Sequence, residues 1–372
     1  MRSAGVAGVG HHVAVLTGTP DSVAAEVAAA AAGREPLHVS VHAAGPAERD
    51  TAVAALRAAG VRCAVDALVQ PPAGASCAAV LWAVSGDATV SHPVAGASRL
   101  DFPGGSLVRL GHLDPGEPTG WAELTGRLRA LDLDLDQVWK TWSYLPVRPG
   151  REEAAAEFVD FNVDRAGVFG DTAFRLEPPA GVDRAYPANT GVADLSGTGT
   201  LTGIAGRVDG GVRVLGVENR RQTPPHRYGP GTGRPRPAQF SRSVVLAGGQ
   251  APGWAPCRHG RHGLVLMAGT AAVVDSSTVG ADAVEQLDVT LDIVSGLLSE
   301  GALAAAGLTV AGGLESLLHL VVYVARPADL ERVRTHTVAR VPVPAVTVLA
   351  PLTRADLLVE VDGLAVVEVR GG

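Results

Sequence analysis

Two charged residues near the C-terminus are spaced for chemistry. In TRADLLVEVDG, residues 353–363, Arg354 precedes Glu360 by six positions, and Glu360 has apolar residues on both sides. A carboxyl in an apolar strand loses the solvent that favours its charged form, so it can keep a proton near neutral pH and deliver it as a general acid. A guanidinium can grip a carboxylate through two parallel hydrogen bonds. The plainer readings are a Glu360 that faces solvent, opposite Val359 and Val361 in an alternating strand, and an Arg354 paired with Asp356 in a surface turn. Further cations are dense for a chain of formal net charge -7: Arg165 in NVDRA, Arg220 and Arg221 in ENRRQ, Arg227 in HRYGP and Arg242 in FSRS. They would hold a second anionic group or form a solvated basic loop. Tyr144, Tyr228, Gln222 and Thr190 could hydrogen-bond hydroxyls or a carboxylate, with an aromatic core role the equal alternative for Tyr144. Gly269 and Thr270 in MAGTAAV would let backbone approach a ligand closely, unless Gly269 marks a strand bulge.

Other patterns carry less. Cys257, His259 and His262 in CRHGRHG lack the fourth ligand that a structural zinc site needs. GVAGVG near the start has no ribose-binding acid on a strand downstream, and no GxSxG elbow occurs. No metal and no cofactor are therefore expected. His11 and His12 read as a terminal pair without partners. A mildly acidic balance gives no electrostatic footing for nucleic acid or an anionic membrane. Three scattered cysteines argue against a disulfide framework. With no signal peptide and no apolar run of spanning length, a reducing cytoplasm is the expected compartment.

The elements that must position these residues show an internal repeat. LDQVWKTWSYL (135–145) and LESLLHLVVYV (314–324) each lead from a loop into a strand with a tyrosine, Tyr144 or Tyr323. A helical stretch follows each, REEAAAEFVDFNVDRAGVF or PADLERVRTHTVAR, then PANTGV or VPAVTV, then LTGIAG or LLVEVDG. Thr190 precedes Gly203 by thirteen residues, and Thr347 precedes Glu360 by thirteen. In this alignment Arg354 and Glu360 stand opposite Gly197 and Gly203, so one copy keeps polar groups that the other lacks. Residues 281–300 form the clearest amphipathic helix, after a strand at 264–274. Helices are expected at 21–32, 47–59 and 121–131, with strands near 37–42 and 77–84; residues 216–262 read as a long irregular connection.

The second copy resembles the RidA/YjgF superfamily in MAGTAAV, VVYVARPADLERV and TRADLLVEVDG. The chain from about residue 100 onward resembles the chorismatases, through WSYLP, NVDRAGVF, PANTGV, ENRRQTPPHRYGP, FSRSV and TRADLLVEVD. This resemblance implies an α+β fold of two fused RidA/YjgF-like (chorismate mutase-like) halves, mixed β-sheets packed against helices in a pseudo-trimeric arrangement. Residues 1–215 would be an N-terminal half with a divergent start, and 216–372 a C-terminal half carrying the active site. It also implies a metal-independent enzyme that cleaves the enolpyruvyl ether of chorismate, with Glu360 as catalytic acid. Arg354, Arg165, Arg221, Arg242, Tyr144, Tyr228, Gln222, Thr190, Gly269, Thr270 and Thr353 would bind the substrate. Thr353 departs from the cysteine or alanine of some relatives at a position associated with product choice, and VVDSST lacks a histidine that some carry. Without a cysteine proton donor, hydrolysis to a dihydroxycyclohexadiene carboxylate is the expected course. The alternatives are conversion to 3-hydroxybenzoate, imine deamination and non-catalytic binding of small aromatic acids.

Overall fold

Three stretches of chain repeat one order of elements. The computed structural model describes residues 1–6, 9–112, 118–147, 154–179, 181–209, 211–227, 238–248, 261–305 and 307–370. The first stretch holds β1 (Arg2–Val6), β2 (Val9–Gly18), α1 (Pro20–Ala31), β3 (Glu35–Ala43), α2 (Pro46–Ala58), β4 (Ala64–Val69) and β5 (Cys77–Gly86). The second holds β6 (Thr89–Ser91), β7 (Ala97–Phe102), β8 (Gly105–Leu110), α3 (Trp121–Ala130), β9 (Val138–Pro146), α4 (Ala154–Phe169), β10 (Ala188–Asp194) and β11 (Thr200–Val208). The third opens with β12 (Arg213–Val217), β13 (Ser243–Ala247), β14 (Arg261–Met267), β15 (Thr270–Ala271), β16 (Val273–Val274) and β17 (Ser277–Thr278). It continues with α5 (Ala283–Leu297), α6 (Glu300–Ala305), β18 (Thr309–Ala311), β19 (Leu317–Val324), α7 (Leu330–Arg340), β20 (Ala345–Leu349) and β21 (Val359–Arg370).

Each stretch forms one main sheet with a shared core order: β2-β5-β3-β4, β8-β11-β9-β10 and β14-β21-β19-β20. In each, a parallel pair is joined through a helix (β3 to β4 through α2, β9 to β10 through α4, β19 to β20 through α7). The last strand then returns antiparallel between the first strand and that pair. A parallel crossover needs such a helix to span back to the same end of the sheet.

Local sequence explains the helices. Asp282 caps α5 by accepting from the backbone of Val284 and Glu285, and Thr19 with Ser22 forms a capping box on α1. The buried side of α5, including Leu287, Leu291 and Val294, packs with Val361, Ala365 and Val367 of β21. The opposite face of β21, with Leu364 and Val366, belongs to a core that draws on all three sheets. Strand alternation therefore turns Glu360 and Asp362 toward that shared interior rather than toward solvent.

The three sheets close into a ring through the segments that follow their parallel edge strands. After β4, Ala73 N donates to Thr347 O of β20 (2.9 Å), and Leu349 N donates back to Pro71 O (2.9 Å). After β20, Pro351 O accepts from Ala193 N of β10 (3.1 Å); after β10, Leu195 N donates to Val69 O of β4 (3.0 Å). The parallel edge strand of each sheet is thus capped by the next unit.

The α+β class stands. The expected boundary at 215/216 falls beside the start of the third sheet at Arg213, but residues 1–215 hold two sheets, not one. The expected alignment of the repeats also shifts. Tyr144 pairs with Thr200 and Val192, while Tyr323 pairs with Glu360 and Val348. Thr200, not Gly203, therefore stands at the register position of Glu360. Residues 216–262 are not wholly irregular, since they contain β13 and the start of β14. The strand expected at 264–274 breaks at Gly269 into β14, β15 and β16. His11 is not a loose terminal residue: it is buried in β2 and accepts from Trp82 Nε1 (3.2 Å).

Candidate active site

Glu360 sits in a cleft where the second and third units meet. β21 and the loop before it supply Glu360, Leu357, Arg354 and Thr353; the corner after β14 supplies Gly269, Ala271 and Val273. Across the cleft lie Asn189 and Gly191 of β10 and Phe158 of α4, with Gln222, Phe240 and Arg242 from the connections around β12 and β13. The space between these residues is about 530 Å³ with its open solvent mouth included. Glu360 is only 6% exposed.

Two glycines shape the cleft. A Cβ on Gly269 would collide with Glu360 Oε1 and lie 3.2 Å from Thr190 Cγ2, so only glycine lets backbone rest on the carboxyl. A Cβ on Gly191 would fall 3.0 Å from the Phe158 ring. Gly269 N also donates to Asn189 O across the unit boundary (3.1 Å).

Polar groups in the wall are oriented by partners behind it. Asn189 Oδ1 accepts from Thr141 Oγ1 (2.8 Å) and Ser143 Oγ (2.9 Å), which fixes the carboxamide plane. Gln222 Nε2 donates to Val273 O (2.8 Å), and its buried Oε1 has no partner among the described residues. Arg242, 5% exposed, donates from Nη2 to Thr223 O (3.1 Å) and stacks 5.5 Å from the Phe240 ring centre. Beside it Glu218 is pushed up to about 7 by burial, with the Arg242 guanidinium and Ser241 pulling the other way. Arg354 lies in the cleft wall with its side chain 31% exposed; Nε and Nη2 face Asp356 (3.0 and 2.6 Å), and Nη2 also reaches Thr278 Oγ1 (2.8 Å).

Of the residues singled out from sequence, Glu360, Arg354, Thr353, Gly269, Gln222 and Arg242 line the cleft together. Thr190 is fully buried just behind Gly269, its Oγ1 without a partner among the described residues. Thr270 is buried, and its hydroxyl is turned back to Ala268 O (3.1 Å). Arg165, 1% exposed, lies one aromatic layer away, 5.7 Å from the Phe240 ring centre and bonded to Asn162. Arg221 is exposed and Tyr144 lines a different interior space, so neither meets Glu360 in this cleft. Tyr228, Cys257 and His259 lie outside the described residues. Sequence reasoning passed over Asn189, Phe158, Phe240 and Glu218, although PANTGV and FSRSV contain or adjoin two of them.

Tyr144 belongs to a central chamber where the three sheets converge. His38, His42 and Asp66 come from the first sheet, Arg109 and Trp142 from the second, and His319, Tyr323 and Asp362 from the third. Arg109 pairs with Asp66, and His38 Nε2 lies 3.3 Å from the same carboxylate. Burial alone would raise Asp66; the Arg109 guanidinium and His38 more than offset it and hold the carboxyl well below its usual range. Burial draws His38, His42, His112 and His319 down to about 4. Next to the chamber, Lys140 Nζ donates to Asp362 Oδ1 (2.6 Å) and Trp142 Nε1 donates to Asp362 Oδ2 (2.5 Å). Among the described residues no cluster of three or more His, Cys, Asp or Glu could hold a metal ion, and no helix is long and apolar enough to cross a membrane.

No protein-family model matches the chain. It is 31% identical over 230 residues to a chorismatase of Streptomyces hygroscopicus, covering 60% of each protein. It is 29% identical over 235 residues to a 3-hydroxybenzoate synthase of the same organism, covering 61% of this chain and 63% of the relative. The matched region thus spans about three fifths of the length of these curated relatives. A crystal structure of chorismatase superposes on 98% of this chain and 99% of its own length, with a TM-score of 0.62 and 20% identity. From end to end, then, the chain has the fold of chorismatase.

Proposed function

We propose that this protein is a chorismatase. It cleaves the enolpyruvyl ether of chorismate to pyruvate and a dihydroxycyclohexadiene carboxylate, in the cleft carried by the third unit and completed by the second. The observation that carries this reading is the Glu360 carboxyl, buried in an inter-unit cleft against bare Gly269 backbone with two arginines in the same walls. The chorismatase fold over the whole chain supports it, as do the two sequence relatives.

The chemistry follows from the substrate. Glu360 gives its proton to the terminal methylene of the enol ether, whose π electrons form the new C–H bond. The neighbouring carbon becomes an oxocarbenium ion. Water adds there and loses a proton to the Glu360 carboxylate, and the hemiketal collapses to pyruvate and the ring alcohol. Arg242 and Arg354 are suited to a dicarboxylate: Arg242 is buried and held against Phe240, and Arg354 would exchange its bond to Asp356 for one to substrate. Asn189 and Gln222 offer neutral hydrogen-bonding groups for ring hydroxyls.

A second course starts from the same cation. If a ring hydroxyl traps it in place of water and the ring aromatises, the products are 3-hydroxybenzoate and pyruvate, with no net water consumed. The 3-hydroxybenzoate synthase relative favours this course; Thr353 in the cleft wall, which offers no thiol as proton donor, favours hydrolysis. Incubation with chorismate, without added metal, and identification of the products by mass and NMR tests both. Pyruvate with the dihydroxy acid is expected, and intact chorismate after long incubation would sink the reading. A Thr353→Cys variant with an unchanged product ratio would remove the argument from that side chain.

A further inference from the structure

A buried ion pair ties together the two backbone segments that hold the Glu360 carboxyl in place. Lys140 on β9 is fully buried and belongs to the second unit, while its partners belong to the third. Its ammonium donates to Asp362, two residues after Glu360 on the same face of β21, and to Met267 O, two residues before Gly269. One ammonium thus spans the strand that carries the acid and the corner whose bare backbone rests on it. Asp362 is itself fixed, accepting from Trp142 Nε1 (2.5 Å) and Gly363 N (2.7 Å), and the Trp142 ring centre lies 4.2 Å from Lys140 Nζ.

The charges matter as much as the ties. Burial pulls the Lys140 ammonium toward its neutral form, and Asp362 opposes this, with a smaller contribution from Glu360 itself. Among the described residues, the groups near Glu360 include Tyr323, its cross-strand neighbour on β19, and Arg354 and Arg242 in the cleft walls. α4 presents the uncharged Phe158, and β10 the uncharged Asn189 and Thr190. An uncompensated ammonium beside a carboxylic acid favours loss of its proton.

We propose that Lys140 and Asp362 are positioning residues for Glu360: the pair clamps β21 to the Gly269 corner, and its balanced charge leaves the Glu360 proton available for transfer. This rests on the chorismatase reading above. A clamp alone and a clamp with charge balance are separable, because the two single substitutions unbalance the charge in opposite senses.

The test is the pH dependence of kcat/KM for chorismate in Asp362→Asn, Lys140→Met and the double variant Lys140→Met/Asp362→Leu. Asp362→Asn leaves the ammonium unpaired, so the alkaline limb of the profile moves to lower pH, by about one unit or more. Lys140→Met leaves Asp362 as an extra anion, so the same limb moves to higher pH. The double variant, neutral and of similar volume, returns the limb toward its original position and keeps a folded protein in hand, since apolar replacement of a whole buried pair is often tolerated. Equal loss of activity at every pH in both single variants, or shifts in the same direction, would overturn the proposal. If the unmodified protein leaves chorismate untouched, the chorismatase reading fails instead. The Glu360 carboxyl titration, followed by infrared difference spectra against Glu360→Gln, still reads the two shifts without turnover.

Discussion

The cleft and the central chamber are both polar, both buried and built partly from the same strands, yet their charges are arranged to different ends. In the chamber Arg109 is consumed by Asp66, and the histidines lean to the neutral form. The charges there are paired internally, although Asp66 Oδ1, His42 Nε2 and His319 Nδ1 have no hydrogen-bond partner among the described residues. In the cleft, Arg242 is steadied by a backbone carbonyl and an aromatic ring, Arg354 leans on a half-exposed aspartate, and Gln222 Oε1 has no partner among the described residues. Gln222 is thus oriented from behind with an acceptor to spare for a guest. Internal compensation reads as stability, and orientation from behind with an open front reads as binding.

Substitutions can break this contrast. The largest effect is expected from Glu360→Gln, which should lower kcat on chorismate by about 10²–10⁴-fold while leaving the thermal midpoint and chorismate binding near those of the parent. A midpoint that collapses with activity would move Glu360 to the structural side. Arg109→Met should do the reverse. It leaves Asp66 buried without its main partner, so unfolding in denaturant should show a loss of about 3–5 kcal/mol. Any protein that stays folded should retain most of its turnover.

Acid should find the chamber before it finds the cleft. His38, His42, His112 and His319 titrate near 4 in the folded chain against 6.5 in the unfolded chain. Below 6.5 the unfolded state takes up protons that the native state refuses. Stability is therefore complete above about pH 6.5 and declines as pH falls toward 4, by at most about 3 kcal/mol for each ring. Thermal melts from pH 7.5 to 4.5 check this, and a flat profile would show that the rings are compensated elsewhere. The smallest effect on turnover belongs to Arg242→Met, expected to raise KM for chorismate about tenfold or somewhat more while kcat changes little. An unaltered KM would take Arg242 out of the binding set.

The sequence showed much of this in outline, for physical reasons that can be named. Helices 21–32, 47–59 and 121–131 appear as Pro20–Ala31, Pro46–Ala58 and Trp121–Ala130, because amphipathic runs bounded by Thr19, Gly45 and Gly120, the first two rich in alanine, carry their own stop and start signals. Glu360, Arg354, Thr353 and Gly269 lie within short contiguous segments, so a motif could bring them to notice. The first unit escaped because its likeness to the others lies in strand order, not in residues. Lys140 escaped for a related reason. A lysine in an alternating strand reads as a solvated side chain, and only the neighbouring unit, 222 residues away along the chain at Asp362, makes it an interior one. Arg221 shows the opposite failure, since adjacency to Gln222 in sequence does not carry it into the cleft.

The ring closed by the segments after β4, β10 and β20 joins three units that belong to a single polypeptide. A ring of three identical subunits would repeat every side chain three times, and any residue that suits one junction would have to be tolerated at the other two. Covalent linkage removes that demand. At corresponding points of the circuit this chain can place a glutamate, Glu360, in one sheet and a threonine, Thr200, in the next, so one seam is free to specialise while the others remain mortar.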